Sequence, residues 1–463
     1  MPVSFQREGF SPFGGSAAPD LNDRCRVLVT AFACCPPEGA QFTGGEDLLG
    51  WNLVKQIARF HEVSVLTHAL TREDIERTLA EEPLPSARFV YVGLPRWLQP
   101  LMQIQGGIQV YSYFWQLRAY IVAKRLHREH AFDLAHHVTY ANDWMASFIG
   151  ALLPVPYVRG PGGGAHQVPK LLLREYQVGG RLWEWVRGIG QQIFRCDPFF
   201  IRGQARARAL LVCNREAWDA LPRVWQEKAV LFPVNGIGTN DIECLRTEPA
   251  VTPRRPFRVL SAGKLMSLKG FSLAIKAFKR FSEGSADVQL EIIGDGPDEP
   301  RLFSLIESLG LGGRAQLLPW KRRTEFLRSL AACDVFLFPS LRDGGGAVVI
   351  EAMAAGKPVV CLDLGGPGLH VTEERGMKVK VGHPEHVIAE LAGALERLYH
   401  DHELRRRMGE AARRRAEMLY RWDRLGERLR DIYRQALKGE AGSDSAQGPY
   451  EAAFMGSNRH GDS

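Results

Sequence analysis

The chain is predicted to be an α/β protein made of two Rossmann-like domains, and three observations carry that expectation. The stretch "CRVLVTAFACCPPEGAQFTGGEDLLGWNLVKQIARFHEVSVLTH", beginning at Cys25, reads as a short apolar strand, a glycine-rich loop, an amphipathic helix and a second strand. The stretch "FRVLSAGKLMSLKGFSLAIKAFKRFSEGSADVQLEIIGDGP" repeats that order from Phe257. Between them lies "VNGIGTNDIECLRTEPAVTPRRPF", rich in turn formers, proline and charge, which sets a domain boundary near residue 250. Strand–loop–helix–strand units pair their strands in parallel through right-handed crossovers. One unit at the start of each half argues for two sheets rather than a single long one.

Taken in order, residues 1–22 are small, polar and glycine-rich and read as a disordered tail, as do residues 439–463. The first domain is expected over residues 23–250. It contains two aromatic-heavy helical segments, "RWLQPLMQIQGGIQVYSYFWQLRAYIVAKRLHREH" from Arg96 to His130 and "RLWEWVRGIGQQIFRCDPFF" from Arg181. Their apolar residues either pack a core or face a ligand or membrane. The second domain is expected over 251–420. After its opening unit it continues with short apolar strands in "RAQLLPW", "DVFLFPS", "KPVVCLDLGG" and "GMKVKVG", separated by helical stretches. The arginine-rich "RRRMGEAARRRAEMLYRWDRLGERLRDIYRQAL" reads as amphipathic helix with a solvated basic face.

Composition bounds the function classes. A chain of 463 residues with 45% hydrophobic and 24% charged residues is long enough for more than one core and has a globular profile. The start has no basic segment followed by an apolar run, and no stretch reaches the roughly 18 apolar residues of a membrane span, so a cytoplasmic location is expected. The eight cysteines show no C-x-x-C pair and no Cys/His cluster at zinc spacing, so neither a metal site nor a disulfide framework is expected. The 59 lysines and arginines against 52 acids give +7, a mild excess that permits nucleic acid, anionic lipid or phosphorylated substrates without choosing among them. Nucleic acid is not expected as a partner, because basic residues interleaved with aromatics in a recognisable module are lacking.

The chemistry concentrates in "RDGGGAVVIEAMAAGKPVV", residues 342–360. Ala347 to Ala355 is apolar and helix-forming, Gly356 suits a C-terminal cap, and Pro358 follows. Gly344, Gly345 and Gly346 therefore sit at a helix N-terminus, where unpaired amides and the helix dipole favour an anion. Glu351 falls one to two turns along the helix, within reach of ribose hydroxyls, and Asp343 stands at the loop edge where it can hold another polyol. In "SAGKLMSLKG", Lys264 and Lys269 follow a strand and are placed either to neutralise a diphosphate or simply to face solvent.

Those motifs, with "LEIIGDGPDEPRL", "LLPWKRRTEFLRSLAACDVFLFPS", "FDLAHHVTY" and "VPYVRGPGGG", resemble glycosyltransferase family 4, the retaining group 1 transferases. The resemblance covers nearly all of residues 257–385 and extends more loosely over the first domain. It implies a GT-B fold, two Rossmann-like domains facing each other across a cleft, with "YRWDRLGERLRDIYRQAL" as the helix (421–438) that crosses back to the first domain. The family's E-x7-E pattern falls on Asp343 and Glu351, the first acid being one methylene shorter than usual. The resemblance implies that Glu351 contacts the ribose, that Gly344, Gly345 and Gly346 line the sugar and diphosphate, and that Lys264 and Lys269 are the basic pair. It also implies that Gly44 and Gly45 face the diphosphate or acceptor across the cleft. A first-domain histidine is implied to contact the donor sugar. Here the choice falls between His136 and His137, because the usual D-x-x-H-x-H pattern puts its second histidine at Val138.

The implied activity is retaining, metal-independent transfer of a sugar from a UDP- or GDP-linked donor, a co-substrate rather than a cofactor. The acceptor is a glycan or a lipid-linked saccharide in bacterial polysaccharide or cell-surface glycan synthesis, with peripheral membrane contact as one option. A sugar-nucleotide epimerase, a phosphorylase and a non-catalytic sugar-nucleotide-binding protein are the alternatives on the same architecture.

Overall fold

The structure is a computed structural model that describes residues 24–37, 45–164, 166–176, 178–247, 256–285 and 287–439. The expected tails (the second from residue 440 on), the expected boundary near residue 250 and the candidate Gly44 lie outside the described residues.

Short apolar runs rich in Val, Leu and Ile form two wholly parallel sheets, buried on both faces as such runs require. The first holds β1 (Arg26–Ala31), β2 (Glu62–His68), β3 (Ala87–Val92), β4 (Leu134–Thr139), β5 (Tyr157–Gly162), β6 (Ala207–Val212) and β7 (Ala229–Leu231) in the order β3-β2-β1-β4-β5-β6-β7. The second holds β8 (Phe257–Ala262), β9 (Val288–Ile293), β10 (Ala315–Leu318), β11 (Val335–Phe338), β12 (Val359–Leu362) and β13 (Gly376–Val379) in the order β10-β9-β8-β11-β12-β13. Strand order reverses between β1 and β4 and again between β8 and β11. Loops leaving the strand C-termini diverge at such points and leave a crevice where ligands bind. Each sheet therefore offers one crevice.

Two connections tie the sheets together. The chain crosses back at Tyr420–Trp422, where Ile237 N donates to Tyr420 O at 2.8 Å and Trp422 N donates to Ile237 O at 3.2 Å. The helix Trp422–Lys438 then buries Leu425, Leu429, Ile432, Tyr433 and Ala436 in the core cluster that also contains the first sheet's Val27, Val29 and Leu134. The second connection is a strap. After β5 the chain leaves its own domain, and Val168, Leu172 and Tyr176 pack into the second domain's core with Leu265, Phe271 and Leu273. Glu175 on this strap accepts hydrogen bonds from Ser272 (2.9 Å) and Lys276 (2.9 and 3.0 Å) of the second domain.

The two aromatic-heavy segments divide between the alternatives open to them. In the helix Gly107–His130, Tyr111, Trp115, Ala119, Ala123 and Leu126 are core, while Val110, Phe114, Leu117 and Ile121 form a second apolar stripe exposed to solvent. The helix Val178–Arg195 exposes Leu182, Trp185, Val186, Ile189 and Ile193 in the same way. Both stripes advance by three or four residues, so each lies on one helix face. Among the described residues no helix is long and apolar enough to cross a membrane.

Candidate active site

A cavity of about 1080 Å³ lies between the two sheets. Its walls come from loops beyond strand C-termini: Ala141, Asn142 and Trp144 after β4, Gly163, Gly164 and His166 after β5, Lys264 and Met266 after β8, and Arg342 to Gly345 after β11. Gly45 and Glu46, at the start of the helix Gly45–Ala58, line it from the first domain. Both crevices thus open into one space.

The glycine loop is held from both sides. Asn214 Nδ2 donates to Gly344 O at 3.3 Å, and buried His370 joins Gly345 O (2.9 Å) to the Tyr420 hydroxyl (2.8 Å). Gly346 adopts φ +54°, a left-handed conformation that turns the chain into the helix Ala347–Ala354. Gly270 (φ +70°) does the same after the turn carrying Lys269, where a Cβ would meet Pro339 O at 2.0 Å, so only glycine fits.

Asp343 is on the cavity wall, but its carboxylate is taken up by the protein's own groups. Its Oδ1 accepts the amides of Gly345 (3.1 Å) and Gly346 (2.7 Å), and its Oδ2 takes Lys269 Nζ at 2.5 Å. Burial raises the Asp343 pKa, but Lys269 and the two amides outweigh it and hold the carboxyl below its usual range. The short side chain explains the placement, because an aspartate reaches the backbone two residues ahead and closes an Asx turn. Two of the three glycine-run amides are consequently capped by the protein itself. The amides beyond them, on Ala347 and Val348, begin the helix, and both residues line the cavity. Lys264 is also on the cavity wall, exposed and with no hydrogen-bond or ion-pair partner among the described residues.

Glu351 is not a cavity-lining residue. It pairs with Arg323, which in turn grips Asp241 of the first domain at 2.8 and 3.2 Å. Burial keeps the Glu351 carboxyl above its usual range in spite of that guanidinium. The structure therefore brings Glu351 to Arg323 rather than to the cavity wall.

Neither strand histidine reaches the cavity wall. His136 is buried, with Nδ1 2.6 Å from the Tyr433 hydroxyl and Nε2 2.7 Å from Gly160 O. It joins β4 to β5 and to the crossing helix. His137 is buried with Nε2 against Thr139 O (2.9 Å) and Gln116 Nε2 (2.7 Å). Burial lowers the two to about 4 and about 3, so both are neutral.

Three cavity residues escape the sequence reading. His166 has both ring nitrogens shielded from solvent with no hydrogen-bond partner among the described residues. Arg342 lies on the wall and pairs with Glu184 at 2.7 Å. Glu46 is raised to about 7 by burial, with the Tyr140 amide at 3.3 Å opposing the rise. The signals "GGGAH" and "GGED" are visible in the chain, but only the cavity gives them meaning.

Residues 247–415 match the family described as "Glycosyl transferases group 1". A D-inositol 3-phosphate glycosyltransferase of Paenarthrobacter aurescens is 32% identical over 188 residues, 40% of this chain and 45% of its own length. The lipopolysaccharide core biosynthesis glycosyltransferase LpsE of Rhizobium meliloti is 32% identical over 177 residues, 38% of this chain and 49% of its own. The chain spans about half the length of the curated relatives it matches. Among solved structures, sucrose-phosphate synthase from Thermosynechococcus elongatus superposes with a TM-score of 0.62 at 17% identity, covering 90% of this chain and 100% of its own. Anabaena HepE in complex with UDP gives 0.55 at 18% identity, covering 89% and 100%. The fold is GT-B.

Proposed function

We propose that the chain is a glycosyltransferase that moves a sugar from a nucleotide-sugar donor to a glycan or lipid-linked acceptor. The observation that carries this reading is the cavity shared by both crevices, with Ala347 and Val348 at a helix start and Lys264, which has no hydrogen-bond or ion-pair partner among the described residues, in its lining. Such a reaction needs stabilisation of a departing diphosphate, and oriented amides with a nearby ammonium supply it without reorganising as charge develops. Lys269 acts one step back, holding Asp343 and through it the glycine loop. The UDP complex of the structural relative HepE supports a UDP-linked donor, with GDP as the alternative. The diphosphate role falls to amides and lysine rather than to a metal ion in this reading. The resemblance to the retaining family supports retention of configuration, by same-face attack with the leaving phosphate accepting the acceptor's proton.

Thermal-shift titration with UDP-, GDP- and ADP-sugars tests the donor, since a ligand that binds only the native fold raises its melting temperature. A protein unmoved by all three series does not use a UDP-, GDP- or ADP-sugar. NMR of the product's anomeric proton then decides retention.

The exposed stripes of the helices Gly107–His130 and Val178–Arg195 support a lipid-linked acceptor, because Leu101, Ile104, Val110, Trp183 and Val186 carry the apolar surface into the cavity mouth. Exposed Lys124, Arg128 and Arg181 on the same helices suit an anionic bilayer. Co-sedimentation with anionic vesicles is expected and should be lost in Trp185→Glu. An unchanged supernatant fraction at moderate salt leaves a water-soluble glycan as the acceptor.

A further inference from the structure

Beyond the diphosphate seat, one corner of the cavity holds charge in an unbalanced ratio. Arg187 and Arg342 both pair with Glu184, at 3.0 and 2.7 Å. The two guanidinium side chains are only 15% and 17% exposed, and Glu184 is 7% exposed. Two shielded cations thus share a single carboxylate. A surplus cation in a largely desolvated place is unfavourable until an anion completes it. Arg187 directs its remaining N–H groups to the carbonyls of Gly164 (3.1 Å) and His166 (3.2 Å) and to Gln167 Oε1 (3.1 Å). Arg342 has Glu184 as its acceptor among the described residues, and it lines the cavity.

His166 stands in the same corner. A Cβ placed on Gly344 would lie 3.7 Å from His166 Cε1. Burial, then Arg342 and Arg187, lower the imidazole to about 4, so it is neutral and offers one N–H donor and one acceptor. Neither nitrogen has a hydrogen-bond partner among the described residues. A buried polar atom without a protein partner is completed by water or by a ligand group, and on a cavity wall a substrate group can displace the water and take that place.

We propose that Arg342 and His166 form a subsite for a negatively charged group of the substrate, a carboxylate or phosphate separate from the donor diphosphate. A guanidinium and an imidazole N–H facing one space match the oxygens of such a group, and its charge balances the second guanidinium. The anion has two possible sources, a uronate as the transferred sugar or an acidic group on the acceptor. This inference rests on the nucleotide-sugar reading of the cavity.

Equilibrium binding to the full chain tests it, with UDP, UDP-glucose and UDP-glucuronate as donor probes. Glucose and glucose 6-phosphate, with and without UDP, serve as acceptor probes followed by ligand-observed NMR. A uronate donor is expected to show UDP-glucuronate binding at least tenfold tighter than UDP-glucose. An acidic acceptor is expected to show glucose 6-phosphate bound and glucose not. In Arg342→Gln either preference should collapse while UDP affinity stays unchanged, and His166→Gln should retain more of it than His166→Ala. Arg342→Gln leaves Glu184 paired with Arg187, so a native melting curve is expected. If neither acidic probe exceeds its neutral counterpart, the subsite does not exist. A loss of UDP affinity in Arg342→Gln assigns that arginine to the diphosphate seat and also overturns the proposal. Failure of UDP to bind the wild type counts against the donor reading instead, and the glucose 6-phosphate arm still decides the subsite.

Discussion

Replacing Lys269 and Lys264 one at a time separates two ammonium groups that look equivalent in the chain. Lys269 is 21% exposed, and its Nζ lies 2.5 Å from an Asp343 side chain that is 14% exposed. Removing one partner of a buried pair typically costs about 3–5 kcal/mol, because the other charge is left uncompensated. Asp343 keeps the Gly345 and Gly346 amides, so the lower end, about 3 kcal/mol, is expected for Lys269→Ala. At roughly 2–4 °C per kcal/mol for a domain of this size, the melting temperature should fall by about 6–12 °C. Lys264 is exposed and has no partner among the described residues, so Lys264→Ala should stay within about 0.5 kcal/mol of the wild type. Its effect belongs to the ligand. One lost charge-assisted hydrogen bond of about 1.5–3 kcal/mol weakens UDP binding roughly ten- to a hundred-fold. Scanning calorimetry reads the first quantity and titration calorimetry at two salt concentrations the second. A Lys269→Ala protein that melts with the wild type would falsify the structural role of the Asp343 pair. A Lys264→Ala protein that binds UDP normally would move the diphosphate elsewhere.

Further outcomes follow from the same geometry. On Gly344 a Cβ finds ordinary contacts with Cys213 Sγ (3.5 Å) and His166 Cε1 (3.7 Å), so Gly344→Ala should fold normally and lose ligand affinity by narrowing the cavity. On Gly345 it would lie 2.1 Å from Val234 Cγ2 and 2.3 Å from Asn235 Nδ2 of the first domain, so Gly345→Ala should cost about 1–3 kcal/mol and widen the cleft. An unchanged scattering radius for that variant would contradict the contact. Tyr433→Phe removes the buried hydroxyl bound to His136 and should destabilise by about 1–3 kcal/mol, read by urea unfolding; a midpoint equal to the wild type's argues that the bond is not made. His68, His136 and His370 are lowered to about 4 and His137 to about 3, all chiefly by burial. The folded chain then binds fewer protons than the unfolded chain below pH 6.5, so their contribution is complete above that pH and is lost as pH falls toward 4. Each can contribute up to about 1.4 kcal/mol per pH unit, and a melting temperature flat from pH 7 to pH 5 rules this out.

Much of the architecture was legible because it depends on local pattern. Apolar runs of four to seven residues, glycine-rich turns and helical spacing repeat in both halves, and the two parallel sheets follow them. The glycine run before Ala347 was legible as a helix N-terminus for the same reason. Partner choice was not. Asp343 and Glu351 read as ligand-facing acids, yet Lys269 reaches the first from 74 positions earlier and Arg323 the second from 28. His136 and His137 read as alternative donor-sugar contacts, and the partner of the first, Tyr433, lies 297 positions away. Such pairs are set by how the crossing helix and the two sheets dock, which single-chain periodicity does not encode. His166 was missed for the converse reason, since its interest lies in a missing partner inside a cavity, and neither composition nor spacing reports that.

The strap from Val168 to Tyr176 bears on how such enzymes can be recombined. Grafting a foreign second domain at a junction near residue 250 would leave three apolar side chains addressed to a hydrophobic socket that departed with the exchanged piece. The Lys276 and Ser272 anchors for Glu175 would go with it. A working hybrid has to carry residues 168–176 along with its donor half, so the transplantable unit is discontinuous in the gene although it is contiguous in space.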